Sequence, residues 1–198
     1  MTWLIELDER LFFLLNGLAG KSAGFDRFMT ILVGDYFIPL LMSMVLFALW
    51  FLGKDAQARE RNQRTVFCTA AGVGFAAAVV KLMNLGLDRL RPFEAHPDTV
   101  NLLFYACTDP SFPSNSTAAA FAFATGAWFG NRKAGALLLF LAIVWSFTRV
   151  YCGAHYPLDI IGGAAIGILV AYAAVWVLRL VEPLPTWVLK GMRRIYLA

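Results

Sequence analysis

The chain has 198 residues, 60% of them hydrophobic and 15% charged, with a mean hydropathy of +0.65. Soluble domains are about half apolar and a quarter charged, so this composition excludes a soluble, disordered or fibrous chain and indicates a membrane protein. Three Cys exclude a disulfide scaffold, and a net charge of +4 in so apolar a chain marks cytoplasmic loops rather than a nucleic-acid surface.

Residues 1–27 come first. Trp3 to Ala19 is too short to span a bilayer and is broken by Glu6, Asp8, Glu9 and Arg10. Leu4, Leu7, Leu11, Leu14, Leu15 and Leu18 recur at helical spacing, which predicts an amphipathic helix lying in the membrane interface. The acidic start argues against a cleaved signal peptide.

A spanning helix needs about 20 apolar residues to cross roughly 30 Å of hydrocarbon. Five stretches read as spans: 28–50, 65–87, 114–130, 134–148 and 160–178. The fold class expected is therefore an all-α membrane bundle. One domain fills 1–198, with an interfacial helix at 1–27, a transmembrane core at 28–178 and a cytoplasmic tail at 179–198. Segments 54–64, 132–133 and 179–198 hold 10 of the 17 Lys and Arg but three of the 13 acids. The positive-inside rule places them in the cytoplasm. Lys81, Arg89, Arg91, Arg149, His155 and Asp159 then gather at the outer, periplasmic face of the plasma membrane.

Ionisable residues near membrane depth are expensive, which makes each a functional candidate. Lys81, Asn84 and Asp88 share one helical face, and Pro92 ends that helix beside Arg91. Taken alone, this segment also reads as a set of snorkelling interfacial cations. Ser111 to Thr117 opens the next span with Pro113, Ser114, Asn115 and Ser116, a helix start that also makes an anion site. The plainer reading there is simple capping. Between the last two spans stand Arg149, His155 and Asp159, the carboxylate four residues after the imidazole. That spacing lets Asp159 accept from one ring nitrogen and leave the other as nucleophile. Cations, a helix N-terminus and such a His are what phosphoryl transfer needs. With two His, no CxxC and no carboxylate cage, neither a metal nor another cofactor is expected.

In these motifs the chain resembles the type 2 phosphatidic acid phosphatase superfamily, whose motifs run Lys-x6-Arg-Pro, Pro-Ser-Gly-His and Ser-Arg-x5-His-x3-Asp. The third is nearly complete, with Thr148 for Ser followed by Arg149, His155 and Asp159. The stretch from Arg91-Pro-Phe-Glu-Ala-His96 to Asp109-Pro-Ser-Phe-Pro-Ser114 looks closest to the bacterial undecaprenyl-diphosphatases of that superfamily. The resemblance implies a six-helix bundle, no metal and a phosphohistidine on His155 oriented by Asp159. It also implies a phosphate clamp of Arg91 and Arg149 with help from Ser114; Lys81, Asn84, Asn115 and Ser116 complete the expected phosphate-binding set. The substrate expected is an isoprenoid or phospholipid phosphate within the bilayer, undecaprenyl diphosphate first among them.

Two positions depart from the pattern. Asn84 stands where the family has Lys, with Lys81 one turn earlier. Ser116 stands where the family has its general-acid His. Serine cannot protonate a leaving group at neutral pH, and losing such an acid costs roughly 10²–10⁴-fold. A phosphate monoester leaving from a diphosphate, with a second pKa of about 6, departs without that proton. Three explanations stay open: a preference for diphosphates, a substitute acid such as His96 or Asp109, or a weakened lipid-phosphate binding protein. A lipid phosphate monoesterase or a phosphotransferase is the competing enzyme reading.

Other signals carry less. Gly72-x-Gly74 lies inside a span and predicts close helix packing, as does Gly163-x3-Gly167. Cys68, Cys107 and Cys152 read as free thiols, with Cys107 and Cys152 open to pairing on the outer side. Trp3, Trp50, Trp145 and Trp187 suit interfacial belts.

Overall fold

The computed structural model describes residues 2–194, and every regular element among them is a helix. In chain order these are α1 (Thr2–Asn16), α2 (Ala23–Val33), α3 (Phe37–Phe51), α4 (Ala56–Asn84), α5 (Pro92–Ala95), α6 (Asn115–Gly130), α7 (Arg132–Tyr151), α8 (Pro157–Leu180) and α9 (Leu184–Arg194). Of these, α4, α7 and α8 are long and apolar enough to cross a membrane, and α2 with α3 makes a fourth candidate as one bent span.

The expected span at 28–50 is interrupted. Residues 34–36 break the helix, and α2 meets α3 at 51°. Asp35 sits at that break, where its carboxylate reaches Tyr105 and Arg149. The expected span at 114–130 is α6, whose 16 residues rise roughly 24 Å, short of the hydrocarbon thickness. At its start α4 reaches further than hydropathy indicates, because the basic stretch after residue 55 is helical. Asp55 caps it by accepting from the Ala58 amide at 2.7 Å. At its other end α4 stops at Asn84, not near 87, and residues 85–91 run outside any helix. Pro92 therefore opens the short α5 rather than closing α4. The expected tail is also structured: α8 ends at Leu180 and α9 follows, while 195–198 lie outside the described residues.

The core is built around α6, which packs against α4, α7 and α8. Its buried face is small: Ala118, Ala120, Ala122, Ala124, Gly126 and Ala127. Bilayer helices have no hydrophobic gradient to drive them together, so backbone approach and dispersion contacts hold the bundle. At Gly163 and Gly167 of α8 a Cβ atom would fall 2.5 Å from the Ser114 carbonyl oxygen and 2.2 Å from that of Ala118. The expected packing seam is thus a near-contact between α8 and the α6 backbone. Gly72 likewise faces Ala171 across α4 and α8, as close packing requires.

In α1 the leucine stripe faces outward and the opposite face is turned inward. Leu4, Leu7, Leu11, Leu14 and Leu18 are exposed, whereas Asp8, Phe12 and Asn16, four residues apart, are buried. Asn16 donates to the carbonyls of Tyr151 and Asn101 at 2.9 Å each. Trp145, expected in an interfacial belt, is buried instead, its indole donating to the Val33 carbonyl. All three cysteines are free.

Candidate active site

Three helix ends converge on the site. The chain leaves α7 through Cys152, Gly153 and Ala154, with Gly153 at φ +82, a left-handed conformation that glycine takes without a steric penalty. Amides of Ala154 and His155 close on the Arg149 carbonyl at 3.0 and 3.3 Å. Tyr156 caps α8 and Pro157 opens it, so His155 is fixed between two helix ends. Asp159, at the third helical position, accepts from the Tyr156 amide at 2.8 Å. Its own carbonyl accepts from the Ser114 amide at 3.2 Å, tying the α8 start to the α6 start.

The imidazole is buried and its two nitrogens have different partners. Nδ1 lies 2.9 Å from the Ser111 carbonyl, and Nε2 lies 3.2 Å from the Arg91 guanidinium. A carbonyl only accepts and a guanidinium only donates. Nδ1 therefore carries the proton, and the lone pair is on Nε2, beside Arg91. Burial pushes the imidazole pKa below its usual value, against the pull of Asp159. The neutral, nucleophilic form is favoured.

Asp159 does not take the Nδ1 proton directly. Its nearer oxygen is 3.6 Å from Nδ1, and its lone pairs are held by Ser111 Oγ at 2.5 Å, the Tyr156 amide and Arg89 at 2.6 Å. The carboxylate thus orients the ring through Ser111, whose hydroxyl it holds and whose carbonyl holds the imidazole. No spacing rule identifies Ser111 or Arg89: the Ser111 carbonyl contact leaves no side-chain signature, and Arg89 meets Asp159 across 70 residues.

A cavity of about 300 Å³ opens before Nε2, lined by Arg91, Arg149, His155, Asn115, Ser116, Asp35, Tyr105 and Asp109 among others. Arg149 is sandwiched between the rings of Phe104 and Trp145 at 4.7 and 5.0 Å, and its Nε is buried without a partner. Both cavity arginines already hold carboxylates: Arg91 bonds Asp109 at 2.9 Å, and Arg149 pairs with Asp35. The Tyr105 hydroxyl donates to Asp35 at 2.6 Å, and that bond, with burial, pushes its pKa up and keeps it a donor. Asn115 and Ser116 form the first turn of α6, whose amides have no intrahelical partner. An oxyanion entering this cavity meets two guanidiniums, a helix N-terminus and the lone pair of an imidazole.

Of the expected phosphate ligands, Arg91, Arg149, Asn115 and Ser116 line the cavity with His155. Ser114 is buried behind them, its hydroxyl accepting from the Thr117 amide at 3.4 Å and donating to Thr117 Oγ1 at 3.0 Å. Lys81 and Asn84 do not line it: Lys81 is exposed on the last turn of α4, and Asn84 Oδ1 is buried without a partner. Because α4 ends at Asn84, Lys81 and Asn84 keep a common helical face, but Asp88 and Arg91 lie in the non-helical stretch of residues 85–91 and are not aligned with it. Of the two substitute acids, Asp109 lines the cavity, whereas His96 sits apart, 3.8 Å from Glu9 and edge-on to Phe13. Among the described residues no three His, Cys, Asp or Glu side chains form a metal-holding cluster.

Known proteins resemble this chain in sequence and fold. The sequence profile of the PAP2 superfamily matches residues 65–182. The chain is 30% identical over 168 residues to the undecaprenyl-diphosphatase BcrC of Bacillus subtilis, covering 84% of this chain and 81% of that protein. It superposes on the crystal structure of Aquifex aeolicus LpxE with a TM-score of 0.62 at 27% identity, covering 85% and 94% of the two chains. A PAP2-type phosphatidylglycerolphosphate phosphatase from Bacillus subtilis has the same fold, with a TM-score of 0.63 at 17% identity over 92% and 90%. The chain belongs to the PAP2 superfamily and is a lipid phosphate phosphatase, a hydrolase.

Proposed function

We propose that this protein removes the terminal phosphate of a lipid diphosphate, undecaprenyl diphosphate foremost, and releases lipid monophosphate and inorganic phosphate. The observation that carries the reading is the lone pair of His155 Nε2, 3.2 Å from the Arg91 guanidinium in a cavity that Arg149 also lines. Similarity to BcrC supports the substrate. Replacement of the family's acid by Ser116 supports it further.

In the proposed mechanism Nε2 attacks the terminal phosphorus as Arg91 and Arg149 move onto its oxygens and the α6 amides take up the remaining charge. The bond to the bridging oxygen breaks, and the lipid monophosphate leaves as an anion that needs no proton from the site. Water then attacks the phosphohistidine, the P–N bond breaks, and inorganic phosphate leaves with the proton balance restored from solvent. The Ser111 carbonyl keeps the Nδ1 proton in place throughout, and no step requires a metal.

For the lipid chain, an apolar groove of about 640 Å³ lined by Phe28, Leu32, Phe37, Ile38, Phe140 and Phe147 reaches Thr148, beside Arg149. It gives an isoprenoid tail a course from the headgroup site into the bilayer. We read α6 as a fifth, short crossing and place the site at the outer face of the plasma membrane, because the basic segments 54–64, 132–133 and 179–194 fall at the opposite ends of α4, α7 and α8.

The test is phosphate release from lipid diphosphate and lipid monoester by the purified protein in detergent. His155→Ala must abolish diphosphate turnover and any acid-labile phosphoenzyme. Rapid turnover of monoesters by the unaltered chain refutes the leaving-group argument and favours a monoesterase. Binding of lipid phosphate without turnover makes the chain a binding protein.

A further inference from the structure

Asp159 is held by Ser111, the Tyr156 amide and Arg89, and Arg89 is itself held from α1, outside the motifs. Arg89 donates to Asp159 Oδ1 through NH1 at 2.6 Å and to Asp8 Oδ2 through NH2 at 2.6 Å. The other oxygen of Asp8 accepts from the Leu158 amide at 2.8 Å, at the start of α8. The carboxylates of Asp8 and Asp159 are both wholly buried. Eight residues along the same face of α1, Asn16 holds the Tyr151 carbonyl at the end of α7. The segment carrying His155 is thus strapped at both ends by one helix.

One guanidinium between two buried carboxylates is more than a brace. A buried carboxylate facing only Arg89 would be neutralised by it; the second carboxylate shares that cation and leaves net negative charge behind the imidazole. Charged groups facing the ring are Asp159 on α8, Arg149 on α7 and Arg91 ahead of α5, the last two bonded to Asp35 and Asp109. The cluster therefore opposes two cations with shared negative charge.

From this geometry we infer that Asp8 of α1, acting through Arg89, is a positioning residue that sets the orientation and effective charge of Asp159 and thereby the nucleophilicity of His155. The inference rests on His155 being the nucleophile. It makes the N-terminal helix part of the catalytic apparatus rather than a membrane anchor alone.

The experiment uses the full chain in detergent with a lipid diphosphate, comparing Asp8→Asn, Arg89→Gln and the double variant. Asp8→Asn keeps the shape and the acceptor for Leu158 but removes one negative charge. Its acid limb in kcat/KM moves to lower pH, because the imidazolium loses stabilisation. Arg89→Gln frees the charge of Asp159 and moves that limb to higher pH. The double variant returns it toward the parent. Each single change lowers kcat about 10- to 100-fold, as loss of an outer partner typically does, while KM stays within about threefold because the clamp is untouched. A merely structural role predicts lost folded protein and no opposed shifts. Elution volume and thermal unfolding with and without phosphate report folding; if Asp8→Asn does not fold, the Arg89→Gln limb alone decides. Parent-like kcat and pH profiles in folded variants overturn the inference. If His155→Ala retains turnover, it is the proposed function that fails.

Discussion

In the proposed mechanism Asp35 occupies the cation that substrate needs, the guanidinium of Arg149. Its side chain is 39% exposed and pairs with Arg149, which is 4% exposed. Two unit charges about 4 Å apart at an effective dielectric of about 20 attract by roughly 4 kcal/mol, before the water regained by a freed ion is counted. Partial exposure brings the net value of such a pair nearer 1 kcal/mol. Phosphate must displace that carboxylate, so Asp35→Asn lowers KM for a lipid diphosphate about fivefold, with kcat changed less than twofold. Inhibition by inorganic phosphate, which reports binding without chemistry, tightens by a similar factor. Both effects shrink at high salt, as screening of a partly exposed pair requires. The same substitution leaves a buried guanidinium facing only the rings of Phe104 and Trp145, so the ligand-free protein melts lower and phosphate raises its Tm more than in the parent. Steady-state kinetics and ligand-dependent melting check this directly. An unchanged or raised KM in a folded Asp35→Asn protein refutes the displacement argument and makes Asp35 a phosphate-positioning group instead.

Three further outcomes are expected. Ser116→His, which places an imidazole on the cavity wall, raises lipid monoester turnover by at least 10-fold more than diphosphate turnover; equal gains on both contradict the leaving-group reading. Burial lowers the His155 pKa, so more than half the rings are neutral at the ordinary imidazole midpoint, and the acid limb of kcat/KM lies below about 6.5; a limb above it contradicts the assigned environment. Gly167→Ala puts a methyl 2.2 Å from the Ala118 carbonyl oxygen and lowers stability by about 1–3 kcal/mol, read by thermal unfolding in detergent, whereas an alanine at Gly24, with no atom nearby, causes no comparable loss.

The parts of this site legible in sequence are those whose geometry is local. His155 and Asp159 stand four apart across a helix start, and Arg149 lies on the last turn of the preceding helix, so spacing alone brings them near one another. What spacing does not carry is the arrangement of residues that meet only through tertiary packing. Asp35 sits in a break that a hydropathy window averages away, since both flanking helices are apolar. Asp8 belongs to a helix whose leucines face outward, the reverse of the soluble rule, because in a bilayer the polar groups are the ones that need protein partners. The face of Lys81, Asn84 and Asp88 presupposes a helix that continues to Pro92; the chain leaves the helix at Asn84, so Asp88 drops off that face, and Lys81 and Asn84 end short of the cavity. Trp145 reads as an interfacial anchor until Arg149 is seen lying over its ring.

The alanine-and-glycine surface of α6 has a consequence for how this scaffold diversifies. A rod seated backbone-to-backbone among three neighbours holds its amide-bearing tip in a fixed place. On the proposed function, new headgroup preferences therefore arise at Tyr105, Cys107 and Asp109 and at Asp35 in the bend of residues 34–36, cavity borders that alter without dismantling the bundle.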